Sequence, residues 1–304
     1  MGPLTPRLAP THVLAHLSDP HLVAGQRLLS GHIDTAAQLR QALSRVEESQ
    51  EAIDAIVIAG DLTDSGDPAA YELLLEIARP VADRLGAALV MTGGNHDERR
   101  ALAATLYGLD TDEPQDGVID VRGLRIVTLD SAVPGYHHGG FSDDQYDWLA
   151  GQLATPSNCG TILVMHHPPI TYRSPTMAML DFDDPARLRG ILVGSDVRAI
   201  LCGHLHVTTF GTLGGIPVVV AGGVSYVDDV GAPRELMIGV DGPQSWNLVE
   251  LHAARGSEHA GEVVVSVAPV ARHPRWPALS DAVRDYLLTV PPNERREVFS
   301  RKRS

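Results

Sequence analysis

The stretch Gly203-His204-Leu205-His206 follows a mostly apolar run from Val197 to Cys202. If that run is a β-strand, the alternation of side chains along it places both imidazoles on one side of its exit. Four upstream segments have the same form, an apolar run that ends in Asp, Asn or His. They are Leu17-Ser18-Asp19-Pro20-His21, Gly60-Asp61-Leu62-Thr63-Asp64, Gly93-Gly94-Asn95-His96-Asp97 and Met165-His166-His167-Pro168. Because the strand ends of an α/β sheet gather at one edge, the pattern predicts a single site there.

The donor types at these strand ends indicate a metal site. One Gly-His-x-His segment alone is more often chance than a ligand pair, but here it is the last of five similar segments. Carboxylate, amide and imidazole donors without thiolates suit Mn, Fe or Zn. Two such ions about 3.5–4 Å apart can hold both the attacking and the phosphoryl oxygens of an in-line displacement, with one carboxylate bridging them. The sequence therefore favours a two-metal phosphoesterase.

Composition argues against several other classes of protein. The chain has 304 residues, a formal net charge of −14 and 44% apolar residues, and such an apolar content is ordinary for a globular protein. The acidic balance disfavours binding to nucleic acid or an anionic membrane, and so disfavours a DNA-end nuclease. There are two cysteines, no apolar run reaches the roughly 20 residues of a membrane span, and residues 1–11 do not have the order of a signal peptide. We therefore expect a cytoplasmic protein without a disulfide framework.

Apolar strands alternate with amphipathic helices as far as Cys202, and the helical signals stop beyond Phe210. Helix starts are predicted at the caps Asp34, Asp67 and Ser142. Strands of a later meander are predicted at residues 217–221, 235–240 and 246–251. A change from β/α alternation to a meander suggests two packed sheets with helices outside.

Three regions are expected along the chain. The sequence predicts an irregular arm over residues 1–11, one metallophosphoesterase-type domain over residues 12–252, and a partly flexible C-terminal extension over residues 253–304. That extension has one further predicted strand at 263–267 and a predicted helix from Ser280 to Leu288.

In their order, the five segments resemble the signature of the calcineurin-like metallophosphoesterase superfamily. That signature is Asp-x-His, Gly-Asp-x-x-Asp, Gly-Asn-His-Asp, an isolated His and Gly-His-x-His, and here it spans residues 19–206. The resemblance implies an α/β fold, a four-layer α-β-β-α sandwich of two mixed sheets. Carried over by motif, the ligands of one metal are Asp19, His21, Asp61 and His206. Those of the other are Asp61, Asn95, His166 and His204.

The resemblance also implies roles for the residues around the metals. His96, with Asn95, would contact the substrate, and His96 would give a proton to the leaving oxygen, a task that suits an imidazole. Asp97 would hold the His96 ring in one tautomer or cap a helix, and both interpretations stay open. Asp64 and His167 are expected to be neighbours of ligands rather than ligands.

A finer resemblance is to the bacterial class III cyclic nucleotide phosphodiesterases, and in particular to their mycobacterial members. It implies two metal ions (Fe or Mn, with Zn as an option), a homodimer, and hydrolysis of 3′,5′-cyclic AMP to AMP and of 2′,3′-cyclic nucleotides. Attack would be by a metal-held hydroxide, with His96 assisting the leaving group. The loop Pro134–Gly140, which includes His138, is a candidate substrate wall or only a polar surface loop. For the basic end Arg295–Ser304 there are two interpretations. The resemblance implies weak association with the cell envelope, and the alternative is an ordinary solvated terminus.

Two alternatives stay open at this point. A sister branch hydrolyses glycerophosphodiesters with the same motifs, so another small phosphodiester is possible as the substrate. A non-catalytic scaffold of the same fold is the second alternative. Such members typically lose ligands, whereas every expected ligand and His96 is present here.

Overall fold

Two β-sheets face each other in the computed structural model, which describes residues 9–25, 27–253 and 261–300. The strands are β1 (His12–Leu17), β2 (Ala55–Ala59), β3 (Ala88–Thr92), β4 (Gly117–Val121), β5 (Leu124–Leu129), β6 (Thr161–Met165), β7 (Val197–Cys202), β8 (Thr209–Leu213), β9 (Ile216–Val220), β10 (Val227–Asp228), β11 (Gly239–Val240), β12 (Ser245–Leu251) and β13 (Val263–Pro269). The helices are α1 (Thr35–Glu48), α2 (Pro68–Leu85), α3 (Arg99–Leu102, extended by a wider turn Ala103–Tyr107), α4 (Asp143–Leu153), α5 (Pro185–Leu192), α6 (Asp281–Thr289) and α7 (Pro292–Arg295, extended by Arg296–Ser300). A single 3₁₀ turn spans Met177–Leu180.

Both large sheets are mixed. The first has the order β13-β12-β1-β2-β3, in which β1, β2 and β3 are parallel and β12 and β13 are antiparallel to their neighbours. The second has the order β4-β5-β6-β7-β9-β8, in which β5, β6, β7 and β9 are parallel and the two edge strands are antiparallel. The parallel strands at the centre of each sheet send their carboxyl ends to one edge.

Three apolar clusters separate four layers. Leu14 and Leu201 are fully buried between the two sheets. Alternate residues of the first sheet, such as Ile56, pack on the outer side against α1 and α2. Leu163 does the same in the second sheet, where α4 and α5 lie outside. Strands covered on both faces are apolar at nearly every position, as the central strands are here. The α-β-β-α sandwich of two mixed sheets that the resemblance implies is confirmed.

Local capping explains where the main helices begin. The side chains of Asp34, Asp67 and Ser142 accept hydrogen bonds from backbone N–H groups in the first turns of α1, α2 and α4, as predicted. Helix α2 ends at Gly86, which has a φ of 66° and donates back to carbonyls of the last turn. This left-handed position favours glycine because it has no Cβ.

The strands differ from the prediction in two respects. The strand predicted at 235–240 is wrong for its first part, because only Gly239–Val240 pairs, with Val227–Asp228. The carbonyl of Glu235 instead accepts a hydrogen bond from the hydroxyl of Thr176, 2.8 Å away. The sequence does not predict edge strands β4 and β8, since each alternates half-buried and exposed residues up to one buried residue at its end and has no continuous apolar run.

The ends of the chain are described only in part. The described residues exclude 1–8, 254–260 and 301–304. Most of the predicted arm and the last part of the basic end therefore lie outside them. The predicted strand at 263–267 is confirmed as β13, which pairs with β12, and the predicted helix at 280–288 is confirmed as α6. Among the helices of the described ranges, none is both long and apolar enough to cross a membrane.

Two glycines on helices give a matched test of backbone conformation. A Cβ added at Gly86 or at Gly151 of α4 would have no heavy atom within 4 Å, but only Gly86 has a positive φ. Gly86→Ala should lower the free energy of unfolding by about 1 kcal/mol, and Gly151→Ala should raise it by about 0.5–1 kcal/mol. Urea unfolding measures both changes. Shifts of the same sign would contradict this account of the α2 terminus.

Candidate active site

Five loops leave the carboxyl ends of β1, β2, β3, β6 and β7 and meet at one edge. The first three strands belong to one sheet and the last two to the other, so the loops lie across the junction of the sheets. Backbone hydrogen bonds join them directly. Asp19 N donates to Gly60 O at 3.1 Å, and Gly203 N donates to His166 O at 3.0 Å.

The backbone at this edge is strained. Among the described residues, nine non-glycine residues have a positive φ, and five of them lie here. These five are Asp19 (54°), His21 (42°), Asp61 (46°), His204 (71°) and His206 (54°). Such a conformation costs of order 1 kcal/mol or more per residue and persists only where the surroundings enforce it. Its concentration at one edge indicates that the loops are shaped to aim side chains at a common point.

Glycines in the motifs allow the loops to approach. A Cβ at Gly94 would lie 2.3 Å from the backbone nitrogen and Oδ1 of Asp61. A Cβ at Gly203 would lie 1.8 Å from Ser18 Oγ and 2.8 Å from Asp19 Oδ2. The glycines therefore provide room for the carboxylates at the centre of the site.

Four buried side chains form a first group at this centre. Asp19, His21, Asp61 and His206 have ligand atoms that all lie within 4.8 Å of one another. His21 Nε2 lies 3.1 Å from His206 Nε2 and 3.3 Å from Asp61 Oδ2. His206 Nε2 lies 3.4 Å from Asp19 Oδ1. Such a group could hold a metal ion.

A second group adjoins the first through Asp61. His166 Nε2 lies 3.3 Å from Asp61 Oδ2 and 3.1 Å from Asn95 Oδ1. The ring of His204 lies next to that of His166, with centroids 5.1 Å apart. His166, His167 and His204 also bring ligand atoms within 4.8 Å of one another. The structure thus places all seven predicted metal ligands in one continuous cluster.

The outer ring nitrogens of three histidines are fixed by acceptors. Nδ1 of His166 donates to the carbonyl of Ala59 at 2.8 Å, and Nδ1 of His206 donates to that of Tyr226 at 3.1 Å. Nδ1 of His21 lies 3.2 Å from the Asp64 carboxylate, so Asp64 lies next to the cluster. This second hydrogen bond is the usual support for a metal-binding imidazole. In the neutral rings it leaves lone pairs on the inner Nε2 atoms.

The inner atoms are therefore nearly all acceptors and require positive charge among them. Burial acts to lower the pKa of His21, but hydrogen bonds to Asp61 and Asp64 raise it to about 10. Burial likewise opposes the charge on His166, and Asp61 raises the pKa of His166 to about 9. Although burial acts in the opposite direction, the same two histidines hold the pKa of Asp61 well below its usual range. The centre would bind either extra protons or a cation.

Comparison with known proteins identifies the family. Residues 12–208 match the calcineurin-like phosphoesterase family. The chain belongs to that family.

Relatives extend the match along most of the chain. A probable cyclic nucleotide phosphodiesterase of Rhodococcus erythropolis is 44% identical over 87% of this chain and 85% of its own length. A cAMP/cGMP dual specificity phosphodiesterase of Mycobacterium tuberculosis is 44% identical over 80% of this chain and 77% of its own length. Among solved structures, a dimetal phosphatase from Danio rerio shares the fold with a TM-score of 0.59 at 15% identity, over 86% of this chain and 97% of that one.

His96 lies beside the cluster of predicted metal ligands, where the cluster opens to solvent. Its backbone N–H donates to Asp61 Oδ1 at 2.8 Å, and its ring packs edge-on against His21 with centroids 4.7 Å apart. Its Nδ1 donates to the backbone carbonyl of Asp64 at 3.0 Å. The ring is partly exposed and lines an open cleft of about 430 Å³.

Asp97 does not make the contacts predicted for it. Its carboxylate accepts from the backbone N–H groups of Leu62, Thr63 and Gly94 at 2.9–3.0 Å, and from the hydroxyls of Thr63 and Tyr71. The ring of His96 is held by Asp64 instead, and α3 begins after Glu98 without a side-chain cap. Burial and the charge of Asp61 raise the pKa of Asp97 to about 6. Asp97 therefore joins the loops after β2 and β3.

The histidine of the 134–140 loop that faces the cluster is His137 rather than the predicted His138. Nδ1 of His137 lies 3.1 Å from Asn95 Nδ2, and its ring lies 5.4 Å from that of His96. His138 turns away to Asp183, 3.4 Å distant, and lines a separate pocket. In an irregular loop no fixed alternation decides which of two neighbouring histidines faces the cluster, and a substrate contact by His138 stays a prediction.

The cleft also contains residues that the motifs did not indicate. They are Tyr172, Met177, Leu180, Leu205, Tyr226, Asp228, Met237, Ile238 and Gly239, together with His137. Most of them come from two segments, 170–182 and 226–239, that contain only short elements and carry no recognisable spacing. Because Met237 and Ile238 are apolar and lie between Gly and Pro turns, the sequence predicts a strand there and does not indicate that they line the site.

The contacts of Asp97 predict a structural effect for its removal. Asp97→Ala should lower the free energy of unfolding by about 3 kcal/mol or more, because three backbone N–H groups lose their acceptor. Tyr71→Phe removes one hydroxyl from the same network and should cost about 1 kcal/mol. Urea unfolding of chelator-treated protein compares the two variants. An Asp97→Ala variant that unfolds like the wild type but has lost turnover would restore the catalytic role.

Proposed function

We propose that this chain is a metal-dependent phosphodiesterase that hydrolyses 3′,5′-cyclic nucleotides, cyclic AMP to AMP among them, and 2′,3′-cyclic nucleotides. The observation that carries the proposal is the acceptor-rich cluster, in which His21 Nε2 and His206 Nε2 lie 3.1 Å apart beside two carboxylates. Two relatives at 44% identity are named as cyclic nucleotide phosphodiesterases, which supports this substrate class.

The two ligand sets that the family resemblance implies are compatible with the distances. Asp19, His21, Asp61 and His206 would hold one ion. Asp61, Asn95, His166 and His204 would hold the other, with Asp61 shared because its Oδ2 lies 3.3 Å from both His21 Nε2 and His166 Nε2. The donors are oxygens and imidazoles, which suit Mn or Fe, with Zn as an option.

Each histidine has one nitrogen left for an ion. In His204, Nε2 lies 3.1 Å from the carbonyl of Leu180, so Nδ1 is the free atom, and burial lowers the pKa of this ring to about 3 and keeps it neutral. His167 differs, because its Nδ1 contacts Ser131 Oγ at 2.9 Å and its Nε2 contacts the carbonyl of His137 at 3.2 Å. Both its nitrogens are used within the protein, so His167 supports the ligands without joining them.

The chain's own residues position the phosphodiester and move a proton. Bound metal ions supply activation of water and neutralisation of the phosphoryl oxygens. The Nδ2 group of Asn95 lies 3.1 Å from His137 Nδ1, which leaves its Oδ1 directed at the cluster, 3.1 Å from His166 Nε2. Nδ1 of His96 donates to Asp64, so a proton on Nε2 makes the ring an imidazolium. From the cleft wall, that proton can pass to the ester oxygen as the P–O bond breaks.

The remaining parts of the proposal rest on the family resemblance. It supports a homodimer in the cytoplasm with weak contact to the cell envelope through the C-terminal extension. Exposed apolar side chains on α6, which include Tyr286 and Leu288, agree with a contact of that kind. A scaffold without activity is disfavoured because the complete donor set and His96 lie together.

Turnover on a substrate panel tests the proposal. After chelation the protein should be inactive, and Mn²⁺ should restore hydrolysis of 3′,5′-cyclic AMP and 2′,3′-cyclic AMP, with little action on a phosphomonoester. Release of AMP or its isomers is measured by chromatography. Preference for glycerophosphoethanolamine would assign the chain to glycerophosphodiesters, and two bound metals without any turnover would favour a scaffold.

Replacing His96 separates proton transfer from metal binding. His96→Asn should lower kcat for 3′,5′-cyclic AMP by about 10²–10⁴-fold, the usual contribution of a general acid, and should keep the metal content measured by mass spectrometry. His138→Asn is the matched control, since His138 faces Asp183 outside the cleft, and it should keep kcat. Equal losses in both variants would refute the assignment of His96.

A further inference from the structure

The far wall of the cleft is apolar. Met237 and Ile238 line it with 54% and 40% of their surface exposed, next to Leu180 and the buried Met177. The same cleft is lined by polar groups of the cluster, among them Asn95 and His96. Large apolar side chains left open beside a polar centre are typical of a pocket for a ligand with one charged and one apolar end.

This wall is held in place by specific contacts. Asp229 N donates to the carbonyl of Ile238 at 2.7 Å, next to the pairing of β10 with β11. The hydroxyl of Tyr172 donates to Asp228 at 2.7 Å, and that of Thr176 donates to the carbonyl of Glu235 at 2.8 Å. The segments 172–180 and 228–238 thus support each other, and the apolar surface is formed before a ligand arrives.

The wall continues directly from the metal cluster. Tyr226 stacks on the ring of His206, with centroids 4.0 Å apart and planes 25° apart, and the Tyr226 carbonyl fixes His206 Nδ1. The next residues of the chain enter β10, and the strand partner Gly239 follows Ile238 immediately. Gly239 packs on the Tyr226 ring, since a Cβ there would lie 2.9 Å from it. A ligand with its phosphate at the cluster therefore extends along this wall.

We infer that Met237 and Ile238 bind the nucleobase of the substrate and product nucleotide. The inference rests on the proposed function and adds a specificity determinant to it. A purine has two broad apolar faces, and the thioether of methionine adapts well to an aromatic ring. Covering these side chains with a base removes apolar surface from water. A glycerophosphodiester has no ring to place there and gains nothing from the wall.

Binding measurements on Mn²⁺-loaded protein test the inference without relying on turnover. AMP and ribose 5-phosphate share the sugar and the phosphate and differ only in the base. In the double variant Met237→Ser/Ile238→Ser, AMP affinity measured by calorimetry should fall by about tenfold or more. The affinity of ribose 5-phosphate should stay within about twofold of the wild type.

Two further variants make the result decisive. Leu236→Ser is the matched control, since Leu236 is 51% exposed in the same loop but does not line the cleft, and it should bind AMP like the wild type. Met237→Leu/Ile238→Leu keeps an apolar wall and should retain most of the AMP affinity. A leucine variant as weak as the serine variant would overturn the inference.

Other outcomes separate the inference from the proposed function. Unchanged AMP affinity in the serine variant would overturn the inference, and a simultaneous change in oligomeric mass would assign the wall to an interface between copies. Equal losses for AMP and ribose 5-phosphate would also overturn it. A further outcome is a wild type that fails to hydrolyse cyclic AMP while the serine variant binds AMP, but not ribose 5-phosphate, more weakly than the wild type. In that case the proposed function fails and the base site stands.

Discussion

Acceptor atoms facing one another in a buried space are the constraint on which this structure depends. His21 and His206 direct inner nitrogens at each other, and His166 directs its own at an amide oxygen and a carboxylate. Such a set repels itself unless positive charge lies within it. Five residues of the site have a left-handed backbone, and its glycines make very close contacts. Both features cost free energy, and the packing of the sheets does not require them. These costs are offset if the same acceptor atoms serve as the ligands of a bound cation.

Much of the fold could be predicted from local signals. A strand buried on both faces is apolar at nearly every position, as in Ala55–Ala59, and caps such as Asp34 mark helix starts within one turn. Edge strand β4 escaped prediction because its exposed face mixes polar and apolar residues, and its pairing with β5 is not visible along the chain. Glu235–Ile238 has the composition of a strand, although the carbonyl of Glu235 accepts from the hydroxyl of the distant Thr176 and that of Ile238 accepts from the backbone of Asp229.

The site could be predicted where function requires a fixed spacing, and not elsewhere. Asp19 and His21 lie two positions apart and belong to one ligand group, whereas His204 and His206, with the same spacing, reach the two adjoining groups from one strand exit. His137 and His138 carry no such spacing, so only the three-dimensional path of the loop decides which faces Asn95. Asp97 has the right neighbour in sequence but its carboxylate satisfies backbone groups of another loop. Contacts between remote segments were beyond inference from the chain alone.

The position of the cluster at the junction of the two sheets has a consequence for the lifetime of the protein. Its donors come from loops after β1, β2 and β3 on one side and after β6 and β7 on the other. Any opening that separates the sheets would disperse the ligands, so the free energy of ion binding would oppose that opening. Proteases act on transiently opened chains in proportion to their population. Metal supply in the cell would then govern how long the enzyme persists as well as how fast it works.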